Sequence, residues 1–160
     1  MINESILNGY YGKIANELNE LIPVKWNKII MYGEELGDVS SVSFYFYNSE
    51  ENQVHYSGNI PEDFSVSRDI FKRLLRELRG SIRDLWNEFK NAEQETWSTI
   101  TFVLEKDWKF KVKYEYDLNN KVGPFEREII WAYNEIGLIP NGEFAKEILE
   151  EYLREQRKSL

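Results

Sequence analysis

The stretch WSTITFVLEKDWKFKVKYEY, residues 97–116, decides the fold class of this chain. Its second half alternates apolar and charged residues from Trp108 to Tyr116, and this period of two predicts a strand with one buried and one solvated face. The apolar run 97–104 predicts a partner strand. The polar residues 105–107 between the two predict the turn of an antiparallel hairpin.

The residues before this hairpin predict a helix followed by three more strands. Apolar residues recur every three or four positions across 3–22, as one buried helix face requires, and Pro23 ends that pattern. Strands are predicted at 24–32, 42–47 and 53–56 from their β-branched and aromatic content. The polar segments 33–38 and 48–52 are predicted to be the turns between them.

Three further helices are predicted. One spans 67–91 with Ser67 as its N-cap, one spans 124–136 between Pro124 and Gly137, and the last spans 142–157. The segment 58–65 is predicted to be a connector. The complete order is α-β-β-β-α-β-β-α-α, which predicts an α+β fold in a single domain, 1–160, with an antiparallel sheet of about five strands and helices packed around it.

Charge and composition restrict the function classes. The net charge is −8, and residues 1–66 hold ten acids against three bases. Such a chain repels nucleic-acid phosphates and attracts a basic partner, although simple solubility would also explain its acidity. Cysteine is absent, and no apolar run approaches the roughly 20 residues of a membrane span. We therefore expect a soluble, cytoplasmic protein that does not bind a membrane.

The residues that could carry catalysis are few. His55 is the only histidine, and no nucleotide-binding, zinc-protease or serine-hydrolase motif occurs. Adjacent acids such as Glu34 and Glu35 point in different directions on a strand or a helix, so they do not share a proton. The sequence therefore predicts a binding protein that is not an enzyme and has no metal site or cofactor. A small hydrolase, which would need His55, is the alternative.

A basic stripe on the long helix leaves a second function open. It consists of residues at helical spacing, namely Arg68, Lys72, Arg76, Arg79 and Arg83. One interpretation is phosphate binding by a nucleic-acid-binding regulator that uses the 68–83 face. The other, which we favour, is a solvated face paired with acids on neighbouring turns of the same helix.

Five ordered segments resemble the YezG-like immunity proteins, a family that includes the EsaG-type antitoxins. They are IANELNELIPVKWNKIIMYGE (14–34), SVSFYFYN (41–48), IPEDFSVS (60–67), ETWSTITFVLEKDWKFKVKYEYD (95–117) and GLIPNGEF (137–144). This resemblance spans nearly the whole chain. It implies an immunity role in which the protein binds and neutralises a cognate nuclease toxin exported by a type VII secretion system, with no catalytic residues and no cofactor.

Charge then suggests where such a toxin would bind. A nuclease needs a basic groove for its substrate, and an acidic surface would be steered to that groove. Tyrosines that alternate with core residues of a strand are either exposed interface anchors or a second buried layer. The candidate partner-binding residues are Glu34, Glu35, Asp38, Tyr45, Tyr47, Glu50 and Glu51.

Overall fold

The computed structural model describes residues 1–118 and 120–159, which fall into two compact units, Met1–Asp117 and Leu118–Leu160. The helices of the first unit are α1 (Glu4–Leu21), α2 (Ile60–Asp63) and α3 (Arg68–Asn91). Its strands are β1 (Trp26–Glu35), β2 (Ser40–Asn48), β3 (Val54–Tyr56), β4 (Thr99–Glu105) and β5 (Phe110–Glu115). They form one antiparallel sheet in the order β3-β2-β1-β4-β5, so the predicted α+β class and element order are confirmed.

The core of this unit lies on the sheet face that α1 and α3 share. Strand side chains at alternate positions supply it, as the sequence period predicted, with Ile29, Met31, Phe44 and Phe102 fully buried. Leu18 of α1 and Leu78 of α3 are also 0% exposed and belong to the same cluster. Ser67 caps α3 through its hydroxyl, which accepts a hydrogen bond from the Ile70 N–H at 3.4 Å.

Strand β1 is longer than its sequence pattern indicates. The prediction ended the strand at residue 32, but β1 continues to Glu35, because Gly33, Glu34 and Glu35 pair with Val42, Ser41 and Ser40 of β2. The turn that follows is short. The Leu36 N–H donates to the Val39 carbonyl at 2.9 Å, and Gly37 adopts a φ of +91°.

The β4–β5 hairpin also differs from the expectation in one residue. Trp108 was predicted to begin the second strand, but it lies in the turn with a φ of +69° and 44% of its surface exposed. The Glu105 N–H donates to the Lys109 carbonyl, and the Trp108 N–H donates to the Glu105 carbonyl. This closed turn rotates Trp108 out of the strand alternation.

The segment predicted to be a connector, 58–65, contains more regular structure than expected. A single 3₁₀ turn, Ser57–Asn59, leads directly into the one-turn helix α2. The side chain of Ile60 at this junction is 0% exposed, so the connector contributes to the core.

The second unit is a pair of helices, α4 (Pro124–Ile136) and α5 (Glu143–Lys158). Pro124 occupies the first turn of α4, and Gly137 ends it in the left-handed conformation with a φ of +75°, as predicted. Among the described residues of this unit, Trp131, Ala132 and Leu149 are buried. None of the described helices combines the length and apolarity that a membrane crossing needs.

One buried ion pair ties the β1–β2 turn to α3. The Glu35 carboxylate is fully buried and accepts hydrogen bonds from the Arg83 guanidinium at 3.0 Å and from the Gly37 N–H at 3.0 Å. The same guanidinium donates to the Gly37 carbonyl at 3.1 Å. This pairing raises the pKa of Arg83, first through the hydrogen bond from its side chain to Glu35 and second through the charge of that carboxylate.

Arg83→Met is expected to destabilise the protein, because it leaves the Glu35 carboxylate buried without a cation. We expect a loss in the free energy of unfolding that is several times larger than the change caused by the control below. Urea denaturation measures it. Arg79→Met is the matched control on the same helix and should change the free energy of unfolding by less than about 0.5 kcal/mol. Equal effects of the two substitutions would contradict a structural role for the pair.

The α1–α3 interface contains a half-buried carboxylate that should respond to pH. Burial raises the pKa of Glu17, while the hydroxyl of Ser81 opposes that shift, and one carboxylate oxygen has no hydrogen-bond partner. Because the folded pKa lies above the unfolded value of about 4.3, stability is greatest below that value and falls as the pH rises through the folded pKa.

Glu17→Gln mimics the protonated carboxyl at every pH. It should therefore raise the free energy of unfolding at pH 7, and this gain should shrink towards pH 4. The measurement is thermal unfolding at several pH values. Glu20→Gln, at an exposed position of the same helix, is the control and should show no such pH-dependent gain. A constant difference between Glu17→Gln and the wild type across this pH range would contradict the assignment.

Candidate partner-binding surfaces

Glu34 and Glu35 are not available to a partner. Both belong to β1 rather than to an exposed turn, and they are 5% and 1% exposed. The Tyr32 hydroxyl donates to Glu34 Oε2 at 2.6 Å, and Glu35 belongs to the ion pair with Arg83. The expectation that these two acids form a solvated loop was wrong, because β1 pairs with neighbours on both sides up to residue 34 and with β2 up to residue 35.

The two candidate tyrosines have different environments. Tyr45 is 8% exposed, and its ring lies 5.2 Å from that of Tyr56, so it belongs to a second buried layer rather than to an exposed anchor. Tyr47 is half-buried near the end of β2. Together with Asn27, Asn52 and residues of the β4–β5 turn, it lines a surface depression of about 400 Å³. Of the two tyrosines, only Tyr47 can therefore contact a partner without a rearrangement of the sheet.

The remaining acids are exposed but do not form one patch. Asp38 lies in the β1–β2 turn, whereas Glu50 and Glu51 lie in the turn between β2 and β3. These turns sit at opposite ends of β2, whose nine residues span about 30 Å at the usual rise of a strand. The structure thus separates the predicted acidic surface into two small sites.

The basic stripe of α3 is only partly neutralised. Arg68 pairs with Glu62 and Arg83 pairs with Glu35, so both partners lie outside the helix rather than on its neighbouring turns. Lys72, Arg76 and Arg79 form no ion pair within the described part of the chain. The in-helix pairing that we expected for this stripe is therefore not observed.

The hairpin end of the sheet presents an aromatic pair that the sequence did not reveal. The Trp108 and Trp26 rings meet edge to face at 5.9 Å, and the Trp26 indole N–H donates to Asn19 Oδ1 at 3.0 Å. They border a depression of about 550 Å³ whose other lining residues include Lys25 and Lys106. The one sequence signal for this aromatic pair was the position of Trp108 directly after the turn residues 105–107. The period-two alternation led us to predict Trp108 as part of the strand instead.

His55 has a packing role. Its ring stacks on Phe46 at 5.1 Å and meets Phe64 edge-on at 5.4 Å, while Nε2 lies 3.3 Å from Asn48 Nδ2. Within residues 1–118 and 120–159, no three His, Asp or Glu side chains are grouped so that they could hold a metal ion.

The second unit contains an open groove between α4 and α5 with a volume of about 590 Å³. Its floor is apolar, and its rim carries four carboxylates and one ammonium group. The lining residues are Lys121, Val122, Glu126, Ile130, Phe144, Glu147, Ile148, Glu151, Tyr152, Glu155 and Gln156. None of them was among the residues predicted to bind a partner. A groove between two helices depends on how the helices pack, which local sequence patterns do not predict.

One end of this groove is marked by two exposed phenylalanines. The Phe125 and Phe144 rings stack almost in parallel, 6.2 Å apart, yet they remain 56% and 69% exposed.

The carboxylates of the groove differ in their pairing. Glu151 accepts a hydrogen bond from Arg154, and this bond, followed by the charge of that arginine, lowers the pKa of Glu151. Glu126 and Glu147 form no ion pair with any other residue that the structure describes.

Comparison with known proteins identifies the family. The model of the family "Immunity protein YezG-like" matches residues 7–150. Immunity protein YezG from Bacillus subtilis strain 168 is 40% identical over 89% of this chain and 96% of its own length. YezG from Bacillus spizizenii is 37% identical over 90% of this chain and 91% of its own length. The type VII secretion system protein EsaG from Staphylococcus aureus is 29% identical over 97% of this chain and 98% of its own length.

The resemblance seen in the five sequence segments, including the relation to EsaG, is therefore confirmed. The match is nearly complete along both this chain and its relatives. The chain belongs to the YezG-like family of immunity proteins, which are inhibitors and not enzymes.

Proposed function

We propose that this protein binds and neutralises a cognate nuclease toxin exported by a type VII secretion system, and that it does so in the cytoplasm of the producing cell. The observation that carries the proposal is the match to the immunity family along almost the whole chain, together with the relation to a protein named for type VII secretion. We further propose that residues 1–160 act as one family domain, since the matched range includes parts of both units.

The nuclease identity of the toxin is supported by charge. The chain carries a net charge of −8, and a nuclease domain must present cationic groups to its phosphate substrate. Opposite charges steer two proteins together and raise the association rate, most strongly at low ionic strength. Asp38, Tyr47, Glu50 and Glu51 remain candidate contacts, whereas the burial of Glu34, Glu35 and Tyr45 removes them from this set.

Co-expression with the toxin gene adjacent to the immunity gene tests the proposal. The wild-type protein should restore growth, and the purified protein should stop DNA cleavage by the toxin's nuclease domain at about equimolar ratio. A gel shift with duplex DNA at low salt is the control and should show no retention of the DNA by the immunity protein alone.

Restored growth with undiminished DNA cleavage would contradict a nuclease-directed mechanism. The unpaired cations Lys72 and Arg76 of α3 leave the nucleic-acid-binding alternative open. That alternative would be favoured if the protein failed to restore growth but retained DNA in the gel shift through these two residues.

The Glu50→Lys/Glu51→Lys double variant tests the role of the β2–β3 turn. Because both carboxylates are exposed, the variant should fold normally and slow association with the toxin several-fold at low salt, with little change in the dissociation rate. Stopped-flow or surface-plasmon-resonance kinetics at several salt concentrations measure both rates. An unchanged association rate and salt dependence would remove this turn from the steering surface.

A further inference from the structure

We infer that the groove between α4 and α5, lined by residues 121–156, is the docking site for a basic amphipathic helix of the partner. This inference rests on the proposed function for the identity of the partner. It places the contact in the second unit, whereas the candidate acids Asp38, Glu50 and Glu51 lie in the first. It combines three observations: an apolar floor, a carboxylate rim and exposed aromatic rings at one end.

The apolar floor comes from one face of each helix. On α5, Phe144, Ile148 and Tyr152 follow each other at a spacing of four residues, and on α4 the position facing them is Ile130. Leu149, on another face of α5, is 4% exposed and supplies the core of this unit. Helix α5 therefore has a buried leucine on one face and an apolar stripe on the face that lines the groove.

The dimensions of the open stripe suit a short helix. From Phe144 to Glu155 the groove follows α5 through twelve residues, which span about 17 Å at the rise of an α-helix. A partner helix of about three turns would cover that length. Its own apolar residues would recur at three- and four-residue spacing, as in other helices that bind in grooves.

The rim selects the charge of the partner. Four carboxylates, those of Glu126, Glu147, Glu151 and Glu155, surround the floor, against one ammonium group from Lys121. Glu126 and Glu147 form no ion pair among the described residues. The other two pair with Arg154 and Lys158 on exposed surface, where ion pairs are weak and a partner's cation can compete for the carboxylate. Lysines and arginines flanking the apolar stripe of a partner helix would complement this rim.

The exposed rings provide an anchor. Phe144 is the most exposed of the phenylalanines at the groove, and its stacking on Phe125 holds it in position without burying it. Protein interfaces commonly have an apolar centre with a polar rim, and aromatic rings are enriched among their anchors. Covering these rings would bury apolar area that is otherwise in contact with water.

A synthetic peptide tests the groove without requiring the toxin. The probe is a fluorescein-labelled leucine–lysine peptide of about 14 residues with leucines at helical spacing, and binding to the full-length protein is followed by fluorescence anisotropy. A scrambled peptide of the same composition keeps the charge but loses the apolar stripe. The inference predicts at least about tenfold tighter binding of the helical peptide than of the scrambled one.

Two substitutions assign the binding to the groove. Phe144→Ala and Glu147→Lys should each weaken peptide binding about tenfold, whereas Glu51→Lys, which makes the same charge change in the β2–β3 turn, should weaken it less than twofold. All three positions are exposed, so the variants should retain the wild-type melting temperature. Equal affinity for the two peptides, or equal effects of Glu147→Lys and Glu51→Lys, would overturn the inference.

The same variants in the toxin assay separate this inference from the proposed function. If the groove binds the toxin, the Phe144→Ala/Glu147→Lys protein should dissociate about tenfold faster from the nuclease domain and rescue growth less well than the wild type. If the wild type rescues and this variant rescues equally with unchanged kinetics, the groove inference fails and the proposed function stands. If the wild type itself does not rescue, the proposed function fails, and the peptide experiment alone decides the chemistry of the groove.

Discussion

Burial of the central strand β1 on both faces is the constraint on which the rest of the first unit depends. Its pairing with β2 and β4 places it in the middle of the sheet, and all of its residues from Ile29 to Glu35 are buried. A carboxylate in such a strand must have a partner, because an uncompensated buried charge is strongly destabilising. The ion pair of Glu35 with Arg83 and the Gly37 N–H meets this requirement and fixes the following turn against α3.

This constraint explains which parts of the molecule the sequence predicted and which it did not. The helices α1, α3, α4 and α5 follow from local periodicity and caps, and their observed ends agree with the predicted ones to within about one residue. The observed end of β1 differs from the predicted one, because Gly33, Glu34 and Glu35 have a turn-like composition. Gly33 and Glu34 pair with Ile100 and Thr99 of β4, which are far away in the sequence, so a pattern of neighbouring residues cannot predict this pairing.

Trp108 shows a second kind of failure. The alternation from Trp108 to Tyr116 is regular, and period alone cannot show where a hairpin turn ends. The turn needs a residue with positive φ, a conformation that costs a bulky side chain about 1–3 kcal/mol. The contact with Trp26 accompanies that conformation and holds the ring at the end of the sheet, where it remains 44% exposed.

Total charge and charge placement must be distinguished in an immunity protein of this kind. Of the ten acids in residues 1–66, Glu34 and Glu35 are buried, so they contribute to the field of the molecule but not to its open surface. Glu62 is exposed and paired with Arg68. The last 43 residues are far less acidic overall, yet four of their carboxylates surround one apolar groove. Long-range steering depends on the total charge of the protein. The lifetime of a complex depends instead on apolar contacts that exclude water around paired charges. A surface chosen by net charge alone therefore need not be the surface that holds the partner.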